Sequence, residues 1–316
     1  MAHQPTTSVC FLASDGVYDW AIALLESLKA NSPSVRKVLI PYNNDTDRLL
    51  AAQSRYDFEV MVDPRLAELE RIGRLFGEHR FVRNFKKLAA FFGPCDVNVF
   101  LDADVVVLDD LTRLTTAMAE QNCQFSYFDQ SRNWVYNTWS FIEKMEAEYG
   151  SGLFNSGAWA VGRNALSIES IEELTREALT LRDEMYPGYD QSVPNYCVDR
   201  GGLRPNAVAD LLPEYAQSHR PLHKRMVYQD SMGSYRMKDR RSTAEGQRVM
   251  LLHWAGSGLH PFMPMRSTFL TYRLAGARPL DRLGYFSRVW SRLPGDRWNA
   301  WRKRNTYPSR QRPTPV

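Results

Sequence analysis

The stretch FLDADVVVLDD, residues 100–110, decides the fold because it marks where a buried strand ends. Its apolar start predicts a buried strand, and Asp102 and Asp104 lie at the end of that strand. Burying a carboxylate is costly unless a partner balances its charge. The two acids therefore either lie in solvent at the end of a strand or hold a cation.

Upstream of this stretch, short apolar runs alternate with segments of helical periodicity. The predicted strands are 8–14, 36–43, 58–63 and 97–102, and the predicted helical segments are 18–33, 48–56 and 65–92. This alternation predicts an α/β domain with a Rossmann-like, mostly parallel central sheet flanked by helices. Ligands of such sheets bind at the carboxyl ends of the strands, where Asp15 and Asp102 lie. The sequence has no GxGxxG after the first strand and no P-loop motif, which disfavours dinucleotide and P-loop proteins.

The second half of the chain continues the pattern less regularly. It predicts a strand at 153–163, an amphipathic helix at 170–185, a helix start near Pro194 and a strand within 249–262. Between them, residues 209–248 are polar and predict irregular structure.

Composition indicates a folded protein of the cytoplasm. The chain has 316 residues, 44% of them apolar, and its four cysteines are scattered without a CxxC pair, which is typical of a reducing compartment. The N-terminus does not resemble a signal peptide, and no window of 18 apolar residues predicts a membrane span.

Positive charge is concentrated at the C-terminus. Residues 276–316 contain ten Lys and Arg against two Asp, a charge of +8, whereas the remaining chain carries −4. We therefore predict one domain over 1–275 and a basic aromatic C-terminal segment over 276–316. The acidic main body argues against a broad nucleic-acid surface.

The spacing of Asp102 and Asp104 suits a metal ion, because residues i and i+2 of an extended strand point the same way. Carboxylate oxygens prefer Mg²⁺ or Mn²⁺, and a nearby imidazole would favour Mn²⁺. The alternative is a solvated strand end with turn-forming acids.

Five segments, in order, resemble the GT-A glycosyltransferases, most nearly the family-8 retaining type that includes glycogenin and bacterial lipopolysaccharide galactosyltransferases. The segments are ASDGVYDWAIALLESL (13–28), CDVNVFLDADVVVLDDL (95–111), FNSGAWAV (154–161), YDQSVPN (189–195) and HWAGSGLHPF (253–262). The resemblance spans residues 8–265. It implies a GT-A catalytic domain that transfers a hexose from a UDP-sugar to a glycan or glycolipid acceptor, with retention, in polysaccharide or lipopolysaccharide biosynthesis.

The resemblance also implies roles for individual residues. Asp102, Asp104 and His253 would hold Mn²⁺ or Mg²⁺ on the diphosphate. Nucleotide-sugar contacts would come from Ala13, Asp15, Tyr18, Arg83, Lys86, Ala103, Asn155, Ser156, Gly256 and His260. Asp190 and Gln191 would line the reacting carbon, and Asp129 is a further candidate carboxylate. Whether transfer uses a front-face ion pair or a covalent intermediate stays open.

Two positions depart from the family pattern. The family carries an Arg in the helix before the strand that ends in its Asp-x-Asp (DxD) motif. Here that position is Phe85, flanked by Arg83, Lys86 and Lys87. The Lys of the family's last motif is replaced by His260. A catalytically silent sugar-nucleotide-binding protein is therefore one alternative. A sugar nucleotidyltransferase is another, although the Gly-rich basic loop expected after the first strand is missing.

Structural roles compete with several of these assignments. Asp15 and Asp190 are also suitable helix caps, Asn155 and Gly157 suit a plain turn, and His253 suits a structural role after an apolar strand.

The C-terminal segment and two loops bear on the acceptor. Residues 282–304 interleave arginines with aromatic residues, a pattern that suits either a peripheral contact with an anionic membrane or packing on the domain; RNA binding fits less well. Segment 128–141 is aromatic and polar, as sugar-stacking loops are, but also suits a core, and 219–230 is a basic loop.

Overall fold

A computed structural model describes residues 4–78, 81–217, 226–238 and 244–291. Most of the basic loop 219–230 and residues 292–316 lie outside the described residues. The second half of the basic aromatic segment, with Trp298 and Trp301, is among these residues.

The helices and strands follow in chain order. The described strands are β1 (Thr7–Ala13), β2 (Arg36–Pro41), β3 (Phe58–Val60), β4 (Val97–Asp102), β5 (Val105–Val107), β6 (Phe125–Tyr127), β7 (Ala158–Gly162), β8 (Asn206–Ala207), β9 (Val227–Gln229), β10 (Tyr235–Met237) and β11 (Leu251–His253). The described α-helices are α1 (Tyr18–Asn31), α2 (Asp47–Ala51), α3 (Gln53–Tyr56), α4 (Arg65–Gly73), α5 (Thr112–Glu120), α6 (Trp139–Tyr149), α7 (Ile168–Thr180), α8 (Ser192–Arg200), α9 (Val208–Leu211), α10 (Arg266–Arg273) and α11 (Pro279–Ser291).

A seven-stranded sheet forms the centre of the protein, in the order β3-β2-β1-β4-β7-β6-β8. Strands β3, β2, β1 and β4 are parallel, and β7 runs antiparallel to β4 and β6. Helices cover both faces, so the predicted α/β class with a mostly parallel sheet is confirmed. All seven residues of β1 are buried, as its unbroken apolar run requires of a strand covered on both faces.

Side-chain alternation divides the core into two clusters. Phe11 joins the cluster that contains α1, whereas Cys10 and Phe100 join the opposite cluster with Trp159. Phe100 and Trp159 stack at 5.2 Å between ring centroids. This packing fixes the ends of β4 and β7 side by side.

Three elements differ from the sequence-based expectation. The helical stretch 65–92 divides into α4 and a 3-10 helix over Val82–Phe92. The strand expected over 153–163 begins only at Ala158, and the region 209–248, expected to be irregular, contains the paired strands β9 and β10. The 3-10 helix matters for the site because it sets which side chains face β4.

The C-terminal helix α11 packs on the body of the protein. Tyr285 and Val289 are buried in the α1 cluster, and the guanidinium of Arg288 donates to the buried carboxylate of Asp19 at 2.9 Å. Arg273 donates to the same carboxylate at 2.6 Å. Among the described residues, no helix has the length and apolarity needed to cross a membrane.

Candidate active site

The three predicted metal ligands converge at the end of β4. Strand β11 pairs with β5 so that His253 lies opposite Val105, and the N–H of Trp254 donates to the carbonyl of Asp104 at 3.0 Å. This pairing brings His253 Nε2 to 3.3 Å from Asp104 Oδ1 and 3.9 Å from Asp102 Oδ2. One ligand atom from each residue lies within 4.8 Å of the others, close enough to share one ion.

The electrostatics of this triad also fit a cation. His253 is buried, and among the described residues its Nδ1 has no hydrogen-bond partner. Burial lowers the pKa of His253, but the carboxylates of Asp104 and Asp102 outweigh it and raise the pKa above its usual value. Burial raises the pKa of Asp102, and the positive charge of Lys87 opposes this shift. A divalent ion would satisfy the imidazole and both carboxylates together.

Gly157, the residue before β7, provides the space for the triad. Its carbonyl accepts the N–H of Asp102 at 2.7 Å, so the two backbones are in direct contact. A Cβ at this position would lie 2.4 Å from both Asp102 Oδ2 and His253 Cε1. Only glycine therefore fits beside these two ligands.

Lys87 is a site residue that the sequence placed only among the flanking basic positions. Its side chain is 3% exposed, and its Nζ lies 4.0 Å from Asp102 Oδ1 and 3.1 Å from Ser156 Oγ. The 3-10 helix has three residues per turn, so Val82, Phe85 and Leu88 form a buried stripe and Lys87 is directed toward β4. The sequence signal for this orientation of Lys87 is the three-residue spacing of the apolar residues Val82, Phe85 and Leu88.

Asn155, Ser156, Asp190 and Gln191 form a hydrogen-bonded wall beside Lys87. Gln191 Oε1 accepts from the N–H and the hydroxyl of Ser156, both at 3.0 Å, and the Gln191 amide donates to the carbonyl of Phe154. The carboxylate of Asp190 accepts from the Asn84 amide at 2.8 Å. Asn155 Oδ1 accepts the N–H of Gly157.

Asp129 is the third predicted catalytic residue. It is buried, its carbonyl accepts the N–H of Asn155, and its charge contributes to the raised pKa of His253. The structure therefore brings Asp129 and Asp190 to the neighbourhood of the metal triad.

The two basic residues named for the phosphates, Arg83 and Lys86, lie apart from the triad. Lys86 Nζ is 3.1 Å from a carboxylate oxygen of Glu70, and Arg83 is 3.7 Å from the same carboxylate group. Together with Glu70, Asn43, Asn44 and Asp45 they line a cavity of about 480 Å³. Lys87, rather than these two, is the cation beside Asp102.

The residues named for the nucleobase lie at the end of β1. Asp15 accepts the backbone N–H groups of Arg48 and Leu49 at 2.8 and 3.0 Å, so its carboxylate caps α2 rather than its own helix. The guanidinium of Arg48 lies 4.0 Å from the ring centroid of Tyr18 and covers one face of it. Ala13 is buried at the end of β1.

The remaining nucleotide-sugar positions flank the triad in sequence. Ala103 is buried between the two aspartates. In the loop after β11, Gly256 adopts a positive φ of 67°, and His260 Nδ1 accepts the N–H of Phe262 at 3.2 Å. The assignments of these residues remain predictions.

Solved structures with the same fold are glycosyltransferases, although no protein-family model and no curated protein sequence matches the chain. The galactosyltransferase LgtC, solved with donor and acceptor sugar analogues, matches with a TM-score of 0.57 and 14% identity over 85% of this chain and 95% of its own. The bifunctional glycosyltransferase WbbM matches with a TM-score of 0.57 and 13% identity over 90% of this chain. This chain spans 52% of the length of WbbM.

These matches define the architecture. The chain has the GT-A glycosyltransferase fold, as the resemblance implied, with a seven-stranded central sheet. Asp102, Asp104 and His253, which could hold a metal ion, lie together at the end of β4.

Proposed function

We propose that the protein is a metal-dependent glycosyltransferase that moves a hexose from a UDP-sugar to a glycan or glycolipid acceptor with retention. The observation that carries the proposal is the convergence of Asp102, Asp104 and His253 next to the wall formed by Ser156, Asp190 and Gln191. The fold shared with LgtC, which was solved with donor and acceptor sugar analogues, supports it.

Asp102, Asp104 and His253 would hold Mn²⁺, or Mg²⁺ in its place. When bound, the ion offsets the charge of the diphosphate and stabilises it as a leaving group. Lys87 lies nearest Oδ1 of Asp102, whereas His253 lies nearest Oδ2, and the ammonium of Lys87 adds a second positive charge for the diphosphate.

The residues around the reacting carbon divide into positioning and carboxylate roles. Gln191 is engaged by three hydrogen bonds to Ser156 and Phe154, so its role is to hold that loop. Asp190 holds one hydrogen bond from Asn84 and faces the same site, which makes it the carboxylate to test first for stabilising the sugar cation or attacking it. Asp129 is the second carboxylate to test.

The proposal is tested by measuring UDP release from a panel of UDP-sugars with Mn²⁺ and with EDTA. We expect release from one donor, dependent on Mn²⁺ and increased by the acceptor. Tight Mn²⁺-dependent UDP binding without any release would instead indicate a catalytically silent nucleotide-sugar-binding protein.

An aromatic pair beside the site, an exposed Trp134 and a half-buried Tyr186, suits a sugar acceptor. Trp134 is 54% exposed and packs edge-on against Tyr186 at 5.3 Å. The loops that carry Trp134 and Tyr186 are joined by a backbone hydrogen bond, in which the N–H of Tyr186 donates to the carbonyl of Val135. The N–H of Ser131 donates to the carbonyl of Leu153, which connects the Trp134 loop to the segment before Asn155. The pair thus lies on the loops that carry the candidate catalytic residues, where a pyranose could stack on the indole.

Replacing Trp134 by alanine is expected to raise the KM for the acceptor about tenfold, since one lost stacking contact is worth ~1.4 kcal/mol. Slow UDP release without acceptor should be unchanged. Trp134→Phe, which keeps an aromatic face, should recover most of the affinity. Equal acceptor KM values for wild type and Trp134→Ala would remove Trp134 from the acceptor site.

The outer face of α11 suits an anionic membrane surface. Leu280 and Leu283 are 79% and 66% exposed and Trp290 is 54% exposed, while the inner face of α11 packs on the domain. Leu283 and Trp290 lie three and ten positions after Leu280, so the three side chains share one side of the helix. The exposed Arg282 and the +8 charge of residues 276–316 favour anionic lipids.

The triple variant Leu280→Ser, Leu283→Ser, Trp290→Ser is expected to bind phosphatidylglycerol vesicles at least tenfold more weakly than wild type in a sedimentation assay. Its UDP release should be unchanged, because none of the three side chains is among the residues assigned to the metal ion or the diphosphate. Vesicle binding that equals that of wild type would exclude this face as the membrane contact.

A further inference from the structure

A second cavity, rich in arginine, lies between α1, the short helices α2 and α3, and the connection from α10 into α11. Its volume is about 340 Å³, which falls within the range of small-molecule sites, roughly 300–1,000 Å³. The metal triad does not line it, and Tyr18 is the one lining residue that is also assigned to the nucleobase. Its lining includes one acid, Asp281, and four arginines: Arg48, Arg55, Arg273 and Arg288.

Two of these arginines share a single carboxylate. Asp19 accepts hydrogen bonds from Arg273 at 2.6 Å and from Arg288 at 2.9 Å. Burial raises the pKa of Asp19, but the two guanidinium groups outweigh burial and hold the pKa below its usual value. Asp19 is therefore ionised at neutral pH, and one negative charge faces two positive charges.

Arg48 adds a second uncompensated charge. In the described part of the chain its guanidinium covers the ring of Tyr18 at 4.0 Å and forms no ion pair. The other charged groups around the cavity form one-to-one ion pairs: Arg55 with Glu26, and Arg278 with Asp281. The excess beside the cavity is thus two positive charges, one from the pair that shares Asp19 and one from Arg48.

The shape of the cavity also suits a small anion with an apolar attachment. Gly284 lines it from within α11, where glycine costs about 1 kcal/mol relative to alanine. A Cβ at this position would lie 3.3 Å from Arg288 Nη1, so the glycine leaves room beside that guanidinium. The lining residue Ile22 is buried, whereas Leu280, which also lines the cavity, is 79% exposed. The cavity therefore opens beside the outer apolar face of α11.

We propose that this cavity binds a phosphate monoester group, carried by an anionic lipid headgroup or by a soluble small molecule. Guanidinium groups match phosphate oxygens through paired hydrogen bonds. A monoester carries roughly 1.5 to 2 negative charges at pH 7, close to the excess of positive charge beside the cavity. The inference goes beyond the proposed glycosyl transfer, because it involves neither the metal triad nor the wall around Ser156.

The first test is isothermal titration with glycerol 3-phosphate in the presence of EDTA. Arg48→Gln removes one uncompensated charge without breaking a described ion pair, and Gly284→Leu fills the cavity without changing its charge. We expect both variants to bind about tenfold more weakly than wild type, since a hydrogen bond between charged groups is worth ~1.5 kcal/mol. Lys144→Gln, which removes an exposed charge on α6, is the control and should bind as wild type does.

Vesicle sedimentation distinguishes the two sources of the phosphate group. Phosphatidylcholine vesicles containing phosphatidic acid are compared with vesicles that carry the same surface charge as phosphatidylglycerol, a phosphodiester. A preference of about fivefold for phosphatidic acid, lost in Arg48→Gln and in Gly284→Leu, would identify a lipid headgroup. Binding of glycerol 3-phosphate without this preference would identify a soluble phosphate monoester.

Wild type that neither binds glycerol 3-phosphate nor prefers phosphatidic acid would overturn the inference. Wild-type binding in either Arg48→Gln or Gly284→Leu would also overturn it, because the phosphate group would then bind elsewhere. Circular dichroism checks that the variants fold, and Ala51→Leu, which fills the same cavity from α2, replaces Gly284→Leu if that variant does not. The outcome is independent of UDP release, so failure here leaves the proposed glycosyl transfer untouched.

Discussion

Gly157→Ala is expected to abolish Mn²⁺ binding and UDP release while leaving the fold intact. The added Cβ would lie 2.4 Å from Asp102 Oδ2 and from His253 Cε1, and 2.9 Å from His253 Nε2. Two ligands must then move apart, and their positions are fixed by β4 and by the pairing of β11 with β5. We expect at least a hundredfold loss of Mn²⁺ affinity, measured by isothermal titration.

The matched control for this variant is Gly162→Ala at the other end of the same strand. A Cβ there would meet only the carbonyl of Gln124, at the ordinary contact distance of 3.9 Å. Gly162→Ala should keep the wild-type affinity for Mn²⁺. Wild-type Mn²⁺ affinity in Gly157→Ala would show that the ion binds somewhere other than between Asp102 and His253.

Asp104→Asn is expected to lower UDP release by about a thousandfold. The amide keeps the shape of the carboxylate but removes one of the charges that bind the ion, and the loss of a divalent ion from a diphosphate leaving group costs on the order of 4 kcal/mol. The loss should persist at saturating UDP-sugar and be partly recovered at high Mn²⁺ concentration.

Asp110→Asn provides the control from the same eleven-residue stretch. Asp110 accepts the N–H and the hydroxyl of Thr112 at the start of α5, so it is a local turn residue away from the triad. It should leave UDP release unchanged. Equal losses in Asp104→Asn and Asp110→Asn would indicate general destabilisation, and no loss in either would contradict the metal assignment.

The central sheet could be predicted because its strands are locally encoded. Four of them, β1 to β4, are short apolar runs that alternate with helical periodicity, and alternation of this kind requires parallel pairing. The antiparallel insertion of β7 beside β4 depends on contacts such as Phe100 with Trp159, which are 59 positions apart and leave no local pattern.

The metal ligands could be predicted only in part. Asp102 and Asp104 follow from strand geometry, whereas His253 required a family resemblance because its position depends on the pairing of β11 with β5. The family spacing of the basic residue points to position 85, so the sequence marks Lys87 only as a flanking residue. In the 3-10 helix, that position is Phe85, which belongs to the buried stripe.

The packing of the C-terminal segment could also be predicted only in part from the sequence. The helical spacing of the sequence places Tyr285, Phe286, Val289, Trp290 and Leu293 on one stripe. In α11, Tyr285 and Val289 are buried and Trp290 is exposed, so the stripe divides between the domain and the outer face. Arg288 is partly buried and pairs with the buried Asp19, a partner 269 positions earlier that no local pattern reveals.

The most direct measurement is anomalous diffraction at the manganese edge from crystals of the wild-type protein grown with MnCl₂ and UDP. We expect one strong manganese peak at bonding distance from carboxylate oxygens of Asp102 and Asp104, from His253 Nε2 and from the diphosphate, with Lys87 Nζ on a phosphate oxygen. UDP bound in the cleft with no manganese peak between these three side chains would contradict it.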